Sequence, residues 1–218
     1  MDAATYDRWY ATPRGAWIGR RETALLRAAL QCRPGESALD VGCGTGFFTR
    51  ALAGITTGAV AGVDANAAWI EYARDRGPDS ISYHSADACA LPFADRSFDI
   101  VIAMAALCFI EDQRGAVREM VRVARRRIAI GLLNRHSLLW HRKGRHGGSG
   151  GYRGAQWHTV REALSLLADL PVRRVRMRTA IHLPSGDWFA RTLERMLPPQ
   201  MPTGAFILVV ADVATAAA

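Results

Sequence analysis

Apolar positions in this chain recur first at helical spacing and then in short runs separated by glycine-containing turns. In residues 1–31, Trp9, Tyr10 and Trp17 and the Ala and Leu positions from Thr23 to Leu30 follow a helical period. Thr12-Pro-Arg-Gly15 divides this stretch into a short aromatic helix and a longer one. After Pro34-Gly35 the period changes. Apolar runs at 37–41, 59–64, 81–84, 98–103 and 127–133 predict strands, and the segments 47–53, 67–76 and 116–124 between them predict helices. Strand and helix in alternation imply right-handed crossovers and a mostly parallel sheet with helices on both faces. At 140–154 the rhythm breaks: six glycines stand among Arg142, Lys143, Arg145 and Arg153, which predicts a flexible basic loop. A helix at 159–168, a strand at 172–179, a helix at 187–196 and a closing strand at 205–213 follow, with a frayed end at 214–218.

No internal repeat or second domain is visible, so residues 1–218 read as a single domain. Its parts are a helical lid (1–31), a ligand-binding core (36–133), a substrate-side insertion (134–158) and the remainder of the sheet (159–218). The composition, 50% hydrophobic and 22% charged over 218 residues, can bury one sizeable core and excludes a disordered tail, a collagen-like repeat or a disulfide scaffold. Cys32, Cys43, Cys89 and Cys108 show no C-x-x-C spacing, so no metal site is expected, and reduced thiols suit a cytoplasmic protein. No apolar run is long enough to span a bilayer, and residues 1–10 lack the basic-then-apolar pattern of a secretory signal. The net charge of +8 comes from 28 basic and 20 acidic residues, and Lys143 is the single lysine. Such a balance can mark a nucleic-acid partner. The arginines are spread diffusely, however, which favours surface decoration and leaves nucleic acid as the less favoured partner.

The chemistry concentrates in Ala38-Leu-Asp-Val-Gly-Cys-Gly-Thr-Gly-Phe47, where a strand ends and a helix begins. Glycines at 42, 44 and 46 let the backbone turn tightly and let a ligand approach the main chain. The dinucleotide fingerprint G-x-G-x-x-G fails because Phe47 holds its third glycine position, and the Gly-Lys-Ser/Thr ending of a phosphate-binding P-loop is missing. Asp40 would repel a pyrophosphate but suits a ligand that carries an ammonium group. Asp64 closes the second strand, placed to accept hydrogen bonds from two ribose hydroxyls, and Asp87 follows the third, placed for an adenine amino group. Any one of these acids could be a loop cap. Three at successive strand ends beside Gly-x-Gly-x-Gly point to one crevice.

Asp40-Val-Gly-Cys-Gly-Thr-Gly46, Gly62-Val-Asp64, Asp87-Ala-Cys-Ala-Leu-Pro-Phe93 and Ser97-Phe-Asp-Ile-Val101 resemble successive motifs of class I S-adenosylmethionine-dependent methyltransferases, among them the quinone-biosynthesis C-methyltransferases. The resemblance covers about residues 36–133 and extends loosely to Tyr6-Asp-Arg-Trp-Tyr10. It implies an α/β fold of Rossmann-like, three-layer α/β/α type, with a seven-stranded, mostly parallel sheet whose last strand is antiparallel. It also implies S-adenosyl-L-methionine as cofactor. Asp40, Gly42, Cys43, Gly44 and Gly46 would face the methionine part, with Ala103 and Met104 near its amine. Asp64 and Ala65 would take the ribose, Asp87 and Ala88 the adenine, and Tyr6 and Tyr10 would lid the site.

A sulfonium methyl is already activated, so the protein must mainly align an acceptor and exclude water, and no base is compulsory. No catalytic residue stands out. The substrate-side candidates are Cys108, His136, His141, Tyr152 and Trp157, with His158 and the two lid tyrosines beside them. Cys108 reads equally as a small buried hydrophobe, and the histidines as solvated side chains. The expected partner is a small-molecule acceptor. An RNA or protein methyltransferase and a catalytically silent cofactor-binding protein are the alternatives.

Overall fold

The computed structural model describes residues 2–214, so Met1 and most of the end predicted to fray (215–218) lie outside the described residues. Two helices open the chain, α1 (Ala3–Ala11) and α2 (Pro13–Leu30). Thr12 separates them because its hydroxyl accepts from the Gly15 N–H, and Pro13, which has no N–H to leave unpaired, takes the first helical position.

The core then alternates as predicted: β1 (Ala38–Val41), α3 (Phe47–Ala53), β2 (Val60–Asp64), α4 (Ala67–Arg76), β3 (Ile81–Ser85), β4 (Phe98–Met104), α5 (Gln113–Val123) and β5 (Ala124–Leu133). It closes with α6 (Val160–Ser165), β6 (Val172–Ala180), α7 (Trp188–Met196) and β7 (Phe206–Val213). The seven strands form one sheet in the order β3-β2-β1-β4-β5-β7-β6, flanked by helices, and β7 alone runs opposite to the other six. This is the Rossmann-like three-layer α/β/α arrangement. β1 lies between β2 and β4 with all four residues buried. The chain steps outward from β1 to β2 and β3, then returns to the other side of β1 as β4. Loops leaving β1 and β4 therefore diverge, and a crevice opens between them at the carboxyl ends of the strands.

Two expectations need correction. The fifth strand starts at Ala124 and its helix at Gln113, each three residues earlier than the apolar pattern suggests. Asp112 caps the helix through the Gly115 N–H, and Arg125 and Arg126 are held as strand residues by Asp99 and Glu36. The stretch 140–154 is not an open loop but a set of short helical turns at Trp140–Gly144, Arg145–Gly147 and Gly150–Tyr152. Backbone bonds from Ser149 to Lys143, from Gly154 to Gly147 and from Gln156 to Cys108 fold it back on itself and onto the body. No helix among the described residues is long and apolar enough to cross a membrane.

One buried ion pair joins helix to sheet. Arg127 of β5 stands opposite Asp212 of β7 and points Nε and Nη2 at its carboxylate, each at 2.7 Å, while Nη1 donates to the Ala29 and Leu30 carbonyls at the end of α2. Both side chains are buried, so removing one partner strands the other away from water. Asp212→Ala is expected to lower the unfolding free energy by ~3–5 kcal/mol. Arg135→Ala, whose pair with Glu162 is 40% and 48% exposed, should lower it by less than ~1 kcal/mol. Urea denaturation of the two variants checks the contrast.

Candidate functional site

At the end of β1 the chain must reverse into α3 within a few residues. Gly42 holds φ +68°, and a Cβ there would lie 2.3 Å from the Ala106 Cβ, so the turn after β1 and the turn after β4 touch through this glycine. Gly46 caps α3 at φ +79°, where a Cβ would meet the Tyr83 hydroxyl at 2.6 Å. Between the two turns lies a cavity of about 740 Å³. That is ample for a nucleoside-sized ligand together with a second small molecule.

Asp40, Asp64 and Asp87 all stand on its wall, brought there by the ends of β1, β2 and β3. Asp40 is 1% exposed and accepts a hydrogen bond from the Thr49 hydroxyl at 2.8 Å. Burial pushes its carboxyl up to about 7, against the pull of Thr49 and with a smaller push from the nearby charge of Asp64. Asp64 accepts from the Gly44 N–H and the Asn66 N–H, both at 2.9 Å, so the acid that ends β2 also holds the glycine turn in place. Asp87 is exposed and accepts from the Cys89 N–H at 2.8 Å. Each acid retains acceptor capacity for a ligand.

The roof is aromatic. Tyr10 stacks on Phe47 with ring centroids 3.7 Å apart, Tyr6 packs on Trp69 at 5.2 Å, and the two tyrosine hydroxyls are 3.3 Å from each other. Asp7 ties α1 to α3 and α4 by accepting from Arg50 and Tyr72. Burial raises both tyrosine hydroxyls above the ordinary tyrosine range, so they stay protonated. Of the opening helices it is α1 that roofs the cavity, whereas Leu25, Leu26, Ala29 and Leu30 of α2 are buried in the core.

Among the residues read from the sequence, Asp40, Gly42, Cys43, Gly44, Asp64, Ala65, Asp87, Ala88, Met104, Tyr6 and Tyr10 line this one cavity. Gly46 and Ala103 do not: the first serves the helix cap, and the second is fully buried inside β4. The substrate-side candidates scatter. Cys108 is fully buried and accepts from the Leu133 N–H, and burial pushes its thiol up to about 12, so it packs as a small hydrophobe. His136 and His141 are exposed and off the cavity wall. His158 is buried and donates to the Gln113 side chain, with its pKa lowered by burial. Trp157 is buried against Tyr152, and neither lines the cavity, although Gly150, Gly151 and Arg153 beside them do.

Sequence reasoning missed the wall beyond Met104. Ala105, at φ +58° with its N–H bonded to the Gly131 carbonyl, turns the chain so that Ala106, Phe109 and Ile110 face the cavity. Only a left-handed alanine marks that turn, and nothing in the residue types announces it.

Comparison with known proteins fits this geometry. A family model described as a methyltransferase domain matches residues 39–127. An uncharacterized protein of Mycobacterium tuberculosis is 34% identical over 191 residues, covering 85% of this chain and 63% of that protein. The methyltransferase GfsG of Streptomyces halstedii is 38% identical over 115 residues, covering 50% of this chain and 41% of that enzyme. The chain thus spans less than two thirds of the length of these relatives. Among solved structures, an S-adenosylmethionine-dependent methyltransferase of Thermotoga maritima superposes with a TM-score of 0.71 at 21% identity, covering 96% of this chain and 95% of that one.

Residues 39–127 thus match a methyltransferase domain, and the fold is that of solved S-adenosylmethionine-dependent methyltransferases.

The raised carboxyl of Asp40 has a consequence for stability. Between the ordinary aspartate value of 3.8 and about 7, the folded state holds a proton that the unfolded state has released. Stability therefore falls as pH rises through this window. Asp40→Asn removes that slope: relative to the parent chain it should gain ~2–4 kcal/mol in going from pH 4 to pH 8. Denaturant titrations at the two pH values check it.

Proposed function

We propose that this chain transfers the methyl group of S-adenosylmethionine to a small-molecule acceptor. The observation that carries the proposal is the meeting of three carboxylates, from three successive strand ends, on one cavity with a glycine turn that leaves its backbone uncovered. Such a wall repels a pyrophosphate and suits a ligand bearing an ammonium group and neutral hydroxyls. In this reading Asp40 balances the methionine ammonium beside the Gly42–Gly44 backbone. Asp64 accepts from the ribose hydroxyls, and Asp87 with the Ala88 N–H takes the adenine edge. Met104 and Ala105 flank the methionine part, and Tyr6 and Tyr10 roof it.

When bound, the cofactor supplies an electrophilic methyl carbon on a positively charged sulfur. The chain's own task is then to hold the acceptor in line with that carbon and keep water away. Phe47, Trp69, Phe109 and Ile110 supply apolar and aromatic wall for this, a surrounding that favours dispersal of the cationic charge. A small molecule is favoured over nucleic acid because Arg153 is the single basic residue of the described cavity wall. Seven other arginines are held in ion pairs, with Glu194, Asp7, Glu119, Asp99, Glu36, Asp212 and Glu162. Four unpaired cysteines suit the reducing cytoplasm.

Calorimetric titration with S-adenosylhomocysteine tests the assignment. The unmodified chain should bind it, and Asp64→Ala should bind it about 10–100-fold more weakly, the loss expected for charge-assisted hydrogen bonds to two hydroxyls. Equal affinity in the two proteins would remove the ribose role. Affinity should also rise from pH 6 to pH 8 as Asp40 ionises, and Asp40→Asn should bind weakly with little dependence on pH.

A further inference from the structure

Charge is divided between the two sides of the cavity. Asp40, Asp64 and Asp87 stand at the ends of β1, β2 and β3, and Arg153 is the single cation on the described wall. The other basic residues of its segment, Arg142, Lys143 and Arg145, do not line the cavity, and Arg145 lies over the Trp140 ring. Arg153 also differs from the arginines held by Glu194, Asp7 or Asp212, because it has no ion-pair partner among the described residues. It shares a cavity with three carboxylates and yet pairs with none of them, so its charge is left for whatever enters on its side.

The position of Arg153 is built by its segment. Gly148 holds φ +82°, and a Cβ there would lie 2.0 Å from the Tyr152 carbonyl oxygen and 3.3 Å from the Arg153 Cα. Only a glycine lets the chain double back this closely. The Arg153 N–H donates to the Gly150 carbonyl at 3.2 Å, and the Gly154 N–H to the Gly147 carbonyl at 2.9 Å. Just beyond, the Gln156 N–H donates to the Cys108 carbonyl at 2.7 Å, and its side-chain amide to the Ile110 carbonyl at 2.9 Å. These last two bonds fasten the segment to the very turn that carries Phe109 and Ile110 into the wall. Phe109 lines the cavity and is still 54% exposed, so solvent and ligands reach this side.

The combination sets the chemistry of a ligand on this side. Phe109, Ile110, Tyr6, Tyr10 and Phe47 offer apolar and aromatic surface, which suits a ring. A guanidinium matches a carboxylate in a two-pronged geometry and repels an ammonium. A dianion such as a phosphate monoester would gain from Arg153 but lose against three carboxylates on the same cavity. One carboxylate on an aromatic frame meets both conditions.

We propose that Arg153 determines acceptor specificity by holding the carboxylate of an aromatic monocarboxylic acid, with the ring laid against Phe109 and Ile110. The inference rests on the cofactor reading given above, which places the cofactor among the acids and leaves this side to the acceptor. Arg153 binds and orients the acceptor; it takes no proton and forms no bond to the methyl carbon.

Calorimetry at pH 8 and low ionic strength, where an exposed charge is least screened, tests the proposal. The probes are 2-naphthoate, its uncharged counterpart 2-naphthamide and the dianion 2-naphthyl phosphate, each titrated into the chain saturated with S-adenosylhomocysteine. The parent chain should bind naphthoate about tenfold more tightly than naphthamide, and more tightly than naphthyl phosphate, as expected for one charge-assisted pair. Arg153→Gln should lose that tenfold on naphthoate and change naphthamide by less than about twofold. Arg142→Gln, which removes an exposed arginine off the cavity wall, should leave naphthoate binding unchanged. Affinity for S-adenosylhomocysteine itself should stay within about twofold in Arg153→Gln, since the cofactor lies on the acidic side.

Naphthoate that does not bind, or binds no better than naphthamide or the phosphate, overturns the proposal. So does an equal loss of naphthoate in Arg142→Gln. A tenfold loss of S-adenosylhomocysteine affinity in Arg153→Gln also overturns it, because the arginine would then serve the cofactor's own carboxylate. If the parent chain binds no S-adenosylhomocysteine, the cofactor reading fails first and takes the proposal with it.

Discussion

Ionising Asp40 inside the sheet demands more than the Thr49 hydroxyl returns, and the other features of the site follow from that imbalance. A carboxylate 1% exposed at the end of the central strand can be satisfied in only a few ways. It can hold a proton, or it can meet a cation that arrives from outside. No basic side chain of the described cavity wall comes to it from β2, β3 or β4, where the neighbouring acid is Asp64. The cavity therefore presents an electrostatic demand that the ligand ammonium proposed above would meet. The glycine turn beside it, held by Asp64 through the Gly44 N–H, keeps backbone rather than side chain at that point.

The division of the sheet sets the geometry in which this demand is expressed. Because β4 returns to the far side of β1, the turns that follow the two strands separate and then touch again only through Gly42 and Ala106. The side of the cavity that carries Asp64 and Asp87 is built from the ends of β2 and β3. The opposite side is built from the Ala105–Ile110 turn, the tyrosines of α1 and the glycine-rich segment at 150–153. The two halves differ in character, acidic on one side, and aromatic and apolar apart from Arg153 on the other. That difference suits a reaction in which one partner is held by polar contacts and the other by shape.

Strand alternation, the glycine turn and the three acids were legible in the sequence because each depends on local rules: a two-sided apolar run, a positive φ, an acid at a strand end. The residues that failed were those whose role is set by distant partners. Gly46 resembles a ligand glycine but faces Tyr83, and Ala103 lies one residue short of the wall that begins at Met104. The polarity of His136 and His141 marked them as candidates, yet both stand exposed and off the cavity wall.

The central claim is that the acids of three strand ends converge on one nucleoside-bearing thioether. Its most direct test is a crystal structure of the chain grown with S-adenosylhomocysteine. The account predicts the ribose hydroxyls on Asp64, the adenine edge at Asp87 and Ala88, the ammonium beside Asp40, and open space toward Tyr6, Tyr10 and Phe109. An empty cleft at saturating ligand, or a thioether bound with its ribose away from Asp64, would contradict it.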